Sequence, residues 1–118
     1  MPFAQAISDL MRACPAIKGA AFTDLDGEEI AFEPSDAREA LRLCAAYGGI
    51  ALRRLSMAEA ESGRGPVRRI SLRGSSGAFV TLMVGDAYQL ILQVGDRAPE
   101  GSVLAAARPT VATLAANV

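Results

Sequence analysis

The 118-residue sequence contains no histidine, and this absence excludes several kinds of active site. Ser-His and Cys-His nucleophile systems need an imidazole base, and imidazole is also the commonest ligand of transition metals in proteins. The only lysine, Lys18, stands outside any GxxxxGK[ST] pattern, so the sequence has no phosphate-binding loop of that type. The favoured prediction is therefore a protein with no catalytic, cofactor-binding or metal-binding residues and no enzyme activity, with the carboxylate pair considered below as the alternative.

Cysteines and long apolar runs are also scarce. Cys14 and Cys44 lie far apart among apolar residues, which predicts buried free thiols rather than a disulfide or a metal site. No apolar run approaches the roughly 20 residues that a transmembrane helix needs. Asp9 and Arg12 interrupt the N-terminal segment, where a signal peptide would be continuously apolar. These features predict a cytoplasmic protein without a membrane span.

Length and composition predict one domain over residues 1–118, with a core built from Ala, Leu, Val and Ile because aromatic residues make up only 5% of the chain. The net charge of -1 gives no general attraction to nucleic acid or to an anionic membrane. Acidic residues are concentrated in residues 1–50 and basic residues in 51–118. This asymmetry fits either a protein partner with a polarised face or two ordinary solvated surfaces.

Apolar periodicity and turn residues predict eight elements in the order helix, strand, strand, long helix, three strands, helix. The strands are too close along the chain for parallel crossovers, so they are expected to pair antiparallel. The predicted helices span 3–14, 36–59 and 100–117, and the predicted strands span 17–23, 28–32, 67–73, 78–84 and 87–94.

The first turn, Asp24-Leu25-Asp26-Gly27, carries two carboxylates and invites two functional interpretations. A calcium loop fits poorly, because Phe22 stands at the first ligand position and has no side-chain oxygen. A general acid and base pair needs burial to separate the two pKa values, and an exposed turn provides none. A hairpin turn, with Gly27 at positive φ, is therefore the favoured interpretation.

The strand predicted at 67–73 follows Pro66 and alternates, with Ile70 and Leu72 on one face, so it resembles an edge strand. In the last strand, Gln89 and Gln93 are predicted to face outward. The arginines near the edge strand are interpreted either as a partner surface or as a guard against unwanted pairing. They lack interleaved aromatic residues, so no nucleic-acid partner is predicted.

The long helix is predicted to begin with Asp36 as its N-cap and to carry two apolar rows. One row comprises Leu41, Cys44, Gly48, Ala51 and Leu55, and the other comprises Leu43, Tyr47, Ile50 and Met57. A sheet can cover only one row, so the second predicts self-association. Gly48-Gly49 predicts either close approach to another helix or a kink or break. Pro109 predicts a kink or two pieces in the last helix.

These features resemble the roadblock (dynein light-chain) family, which is longin- and profilin-like, over about Phe3 to Leu114. The resemblance rests on IKGAAFTDLDGEEI at 17–30, the long alanine-rich helix and the hairpin at 77–94. It implies an α+β fold with a five-stranded antiparallel sheet, the long helix on one face and the terminal helices on the other.

The resemblance also implies a non-catalytic homodimer that acts as an adaptor or regulator of a Ras-like small GTPase, in bacterial cell polarity or motility. The implied partners are a second copy, a small GTPase, and another roadblock protein or a response-regulator-type protein. The break predicted at Arg108-Pro109 resembles an adaptor subtype. The implied interface comprises Leu43, Tyr47, Gly48, Ile50, Arg54, Met57, Arg69, Ser71 and Arg73.

Two other functions stay open at the level of sequence. A small-molecule sensor would need polar residues converging in the core, for which Thr81 and Tyr88 are the candidates. A hydrolase would need Asp24 and Asp26 as its carboxylate pair, and it ranks third.

Overall fold

A computed structural model of the chain describes residues 2–33, 38–95 and 97–118. Within these residues the element order is the predicted one, with three helices and five strands. The elements are α1 (Pro2–Ala13), β1 (Ile17–Asp24), β2 (Glu29–Glu33), α2 (Arg38–Ser62), β3 (Arg69–Arg73), β4 (Ala78–Val84), β5 (Tyr88–Val94) and α3 (Glu100–Ala116).

The five strands form one sheet in the order β2-β1-β5-β4-β3, and every neighbouring pair is antiparallel. The last strand in sequence, β5, therefore lies at the centre, and β3 lies at one edge as predicted. The short turns between β1 and β2 and between the last three strands leave antiparallel pairing as the only short connection. The prediction of an antiparallel five-stranded sheet is confirmed.

The two faces of the sheet carry separate clusters of buried residues. On one face α1 and α3 pack against the sheet, where Ile7 of α1 and Val103 of α3 are completely buried together with Phe22 and Leu90 of the strands. On the other face α2 packs over a smaller cluster around Ile91. This arrangement confirms the predicted layering, with the long helix on one face and the terminal helices on the other.

The turn between β1 and β2 is held by the Asp24 side chain. Its Oδ1 accepts hydrogen bonds of 2.9 Å from the backbone N–H groups of Asp26 and Glu28. Gly27 has φ of 88°, a conformation that glycine adopts without strain. The turn interpretation of the acidic segment is confirmed.

Among the described residues, the start of β3 and the end of α2 differ from the predictions by two residues or more. β3 begins at Arg69 rather than at residue 67, and α2 extends to Ser62. The proposed N-cap, Asp36, lies outside the described residues. The prediction of two pieces in α3 is wrong, because α3 continues as one helix through Pro109. Proline removes one helical hydrogen bond, to the carbonyl of Ala105, and that residue is exposed where water can replace the lost donor.

Candidate functional site

α2 packs on the sheet through a narrow row of small and apolar residues. Leu41, Ala45 and Leu52 are completely buried, and Gly49 is buried between them. The row predicted from the sequence was wrong in part, since Leu55 is 46% exposed. The buried row is thus displaced around the helix, and it leaves a wide part of the α2 surface uncovered.

The two glycines of α2 allow the helix to approach the sheet and the first turn closely. A Cβ atom placed on Gly49 would lie 1.9 Å from the carbonyl oxygen of Leu25, which is far inside contact distance. A Cβ atom on Gly48 would lie 3.0 Å from Oε1 of Gln89. The predicted break is wrong, because the helix is continuous here. Within the chain, the two glycines lie in close contact with the sheet and the first turn rather than with another helix.

Gln89 of β5 joins α2 to the sheet through a buried hydrogen-bond network. Thr81 Oγ1 donates to its Oε1 at 2.9 Å. Its Nε2 donates to the backbone oxygens of Ala45 at 2.7 Å and Asp24 at 3.2 Å. The prediction that Gln89 faces outward is wrong, because α2 covers this face of β5 and the side chain is completely buried. The network fixes α2, β1, β4 and β5 relative to one another.

The uncovered side of α2 presents a regular stripe, which we call the α2 face and define as Leu43, Tyr47, Ile50, Arg54 and Met57. Their intervals are four, three, four and three residues, the spacing of a helix seam that packs against a second helix. Leu43 is 57%, Tyr47 70% and Met57 72% exposed. The α2 face therefore leaves large apolar side chains in contact with solvent.

The α2 face continues into a groove between the helix and the edge of the sheet. This groove, of about 390 Å³, separates the Leu43–Ala51 part of α2 from β3 and β4. Leu72 of β3 is 70% exposed beside it. The structure thus brings Leu43, Tyr47 and Gly48 together with Ile70 and Leu72 in one apolar depression.

The three predicted interface residues of β3 lie on the opposite face of the sheet. Arg69, Ser71 and Arg73 pair in register with Leu82, Val80 and Ala78 of β4, whose side chains belong to the α1 and α3 side. Residues directly opposite each other on antiparallel strands share a face. The structure therefore separates these three side chains from the α2 face, although the backbone of β3 lies at the edge of the sheet beside the groove.

Leu72 and Phe79 line this groove and Leu55 of α2 is also exposed, but none of the three was among the predicted interface residues. Leu55 was assigned to the buried row, and Phe79 to a strand covered on both faces. Only the position of α2 shows that the sheet near β3 is uncovered, since α2 lies mainly over β1 and β5. A sequence signal was present for Leu72 alone, which follows Ile70 at an alternate position of an edge strand.

The ionisable groups near the site show little that favours catalysis. Burial raises the pKa of the Cys44 thiol, so the neutral thiol, a weak nucleophile, is favoured. Asp26 forms an exposed ion pair with Arg53 at 2.7 Å. Among residues 2–33, 38–95 and 97–118, no three His, Cys, Asp or Glu side chains are grouped so that they could hold a metal ion.

The two polar candidates for a ligand site take part in internal contacts. Thr81 donates to Gln89, and the ring of Tyr88 packs 5.6 Å from that of Phe22. No buried side-chain nitrogen or oxygen in the described part of the chain lacks a hydrogen-bond partner. The core therefore offers no orphaned polar group to a small molecule.

None of the described helices has the length and apolar character needed to cross a bilayer.

Comparison with solved structures identifies the fold. MglB of Myxococcus xanthus superposes with a TM-score of 0.85 at 13% identity, covering 97% of this chain and 92% of that one. A roadblock domain from Streptomyces avermitilis gives 0.84 at 18% identity, covering 94% and 92%. The gliding protein MglB of Thermus thermophilus gives 0.82 at 15% identity, covering 98% and 87%.

No family model matches the sequence, and no curated protein matches it either. The three superpositions extend over nearly the whole chain in each case, at identities at which a shared fold is the secure conclusion. The chain has a roadblock-like fold, as its sequence pattern predicted.

Proposed function

We propose that this chain is a non-catalytic, homodimeric adaptor or regulator of a Ras-like small GTPase system, of the bacterial polarity or motility type. It acts through protein–protein contacts in the cytoplasm. The observation that carries the proposal is the α2 face, a seam of exposed apolar side chains on the surface of a roadblock-like domain.

A second copy of the chain is the partner that best matches the α2 face. A two-fold axis brings the same surface of both subunits together, so the apolar residues of one α2 face would meet those of the other. Burying a large apolar side chain contributes roughly 1.5–3 kcal/mol, so a seam with Leu43, Tyr47, Ile50 and Met57 offers a substantial driving force. Association also has to offset the lost freedom of two molecules, which several such side chains can do.

The outer edge of β3 extends the proposed interface. β3 lies at the end of the sheet order, so its outer backbone groups have no neighbouring strand among the described residues. Pairing with the β3 of a second copy would join the two sheets while the two α2 helices pack together. Arg69, Ser71 and Arg73 would then contribute mainly their backbone, since their side chains lie on the other face.

The GTPase part of the proposal is supported by the fold, by the family resemblance and by the motility role in the name of the Thermus thermophilus gliding protein. The interpretation of the chain as the adaptor subtype loses one support, because α3 is not broken at Pro109. Arg54, the charged member of the α2 face, is the proposed contact for the GTPase, and the four apolar members form the dimer seam.

The GTPase contact can be tested by calorimetric titration of the purified chain with a Ras-like GTPase from the same organism, loaded with GDP or with a non-hydrolysable GTP analogue. The proposal predicts tighter binding of one nucleotide state. Arg54→Glu should weaken it, whereas Val118→Glu, an exposed change at the C-terminus, should leave it unchanged. Absence of binding in both nucleotide states would remove the GTPase role but leave the dimer standing.

A further inference from the structure

A second groove lies on the other side of the sheet from the α2 face, between α3 and the strands β3 and β4. Its volume is about 620 Å³. We propose that this groove binds an acidic, amphipathic peptide segment of a protein partner. The groove lies apart from the α2 face, so its occupant need not compete with a second copy of the chain.

One wall of the groove is a single stripe of α3. Leu104, Arg108, Val111 and Ala115 line it at intervals of four, three and four residues. Leu82 of β4 lies opposite. These apolar side chains are only half buried, although they pack against the core beneath α3. The groove thus keeps an apolar floor partly open to solvent, and a protruding apolar side chain could fill it.

Arginines line the groove above this floor. Arg68 and Arg69 lie on the strand side and Arg108 on the helix side, and all three are exposed. None of them makes an ion pair or a side-chain hydrogen bond with any described residue. Asp86 is the only acidic residue in the lining. The groove is therefore locally basic in a chain whose net charge is -1.

The apolar floor and the basic rim of the groove together determine which chemistry a bound peptide must have. Arginine pairs strongly with carboxylates through two parallel N–H···O contacts. A peptide that places leucine-like side chains beside glutamates or aspartates would satisfy both features. A lipid surface fits less well, because its headgroups form a layer that cannot fill a recessed floor without an inserted segment. Single-stranded nucleic acid would need aromatic platforms, and the lining contains none.

The proposal can be tested with a labelled peptide of about 18 residues, a length that supports helix formation, with leucines at alternating three- and four-residue intervals and glutamates between them. A second peptide has the same composition in scrambled order. A third peptide keeps the order but has lysine in place of each glutamate. Fluorescence anisotropy should show binding of the first peptide about tenfold or more tighter than of the other two. Phosphatidylserine vesicles provide the lipid comparison.

Arg69→Glu combined with Arg108→Glu should weaken binding of the acidic peptide by about tenfold or more and favour the lysine peptide. Arg64→Glu, an exposed change in the preceding loop and outside the groove, should retain the original affinity. Ala112→Glu, which adds bulk and negative charge at the α3 wall, gives a second test if the double variant does not fold.

Equal binding of the ordered and scrambled acidic peptides would overturn the proposal, as would binding that survives both groove variants. Arginine-dependent binding to the vesicles without binding to the peptide would also overturn it, in favour of a lipid surface. Sedimentation of the same samples reports dimerisation separately. Failure of the wild-type chain to bind the acidic peptide, while the chain still forms a dimer, would therefore contradict this inference alone.

Discussion

The side-chain amide of Gln89 donates a 2.7 Å hydrogen bond to the backbone oxygen of Ala45, and so ties the central strand to the middle of α2. The same side chain reaches Asp24 and accepts from Thr81. A residue of the central strand thus helps to fix how α2 lies, and with it the orientation of the α2 face.

Replacing Gln89 by leucine should lower the free energy of unfolding. The substitution keeps the volume nearly constant but leaves the Thr81 hydroxyl without its acceptor in a buried site. Unsatisfied buried polar groups cost about 1–3 kcal/mol each. Urea unfolding monitored by circular dichroism measures the change.

Gln93→Leu is the matched control, because Gln93 lies on the same strand and face but makes no side-chain hydrogen bond with a described residue. This substitution should therefore change the free energy of unfolding by less than about 0.5 kcal/mol. Equal stability of the two variants would show that the network contributes nothing.

Gly49→Ala should destabilise the protein although alanine is the better helix former. Helix propensity alone predicts a gain of up to about 1 kcal/mol. The added Cβ would, however, meet the Leu25 carbonyl at 1.9 Å, and overpacking of this kind costs about 1–3 kcal/mol. Gly101→Ala in α3 is the control, because a Cβ there meets nothing within 4 Å. Thermal unfolding should show opposite shifts for the two variants, and a raised melting temperature for both would contradict the close approach.

Pro109→Ala should stabilise α3, because it restores an N–H donor for the carbonyl of Ala105 and removes the ring clash. A proline in a helix interior costs about 3 kcal/mol relative to alanine, and the gain here should be part of that. Pro99→Ala at the N-cap of α3 should change stability by less than about 0.5 kcal/mol, because its N–H would have no helical acceptor. Denaturant titration compares the two. Loss of stability in Pro109→Ala would indicate that the helix is shaped around the proline.

Short-range patterns in the sequence were sufficient for the element order, the acidic turn and the edge position of β3. Each depends on neighbouring residues: Gly27 permits the turn, and Pro66 with alternating Ile70 and Leu72 is typical of an edge. The exposed row of α2 was also predictable, because Leu43, Tyr47, Ile50 and Met57 cannot share a face with Leu41.

Features that depend on the second layer of the fold could not be predicted. Alternation in β5 placed Gln89 on the less apolar face, and nothing local shows that α2 covers that face. The position of α2 on the sheet, which local sequence does not reveal, also explains why Leu55 was assigned to the buried row and why Leu52 was not. The glycine pair was predicted to meet another helix or to break α2, but its contact is with Leu25, whose position depends on the whole hairpin.

Sedimentation equilibrium of the purified chain across micromolar concentrations is the most direct test of the claim that the α2 face joins two copies. We expect twice the monomer mass of 12.3 kDa for the wild-type chain and for Val118→Glu, which alters an exposed apolar residue elsewhere. Tyr47→Glu combined with Ile50→Glu should give a folded monomer, since charges would be buried in the seam. A wild-type chain that stays at 12.3 kDa throughout, or a double variant that remains dimeric, would contradict the account.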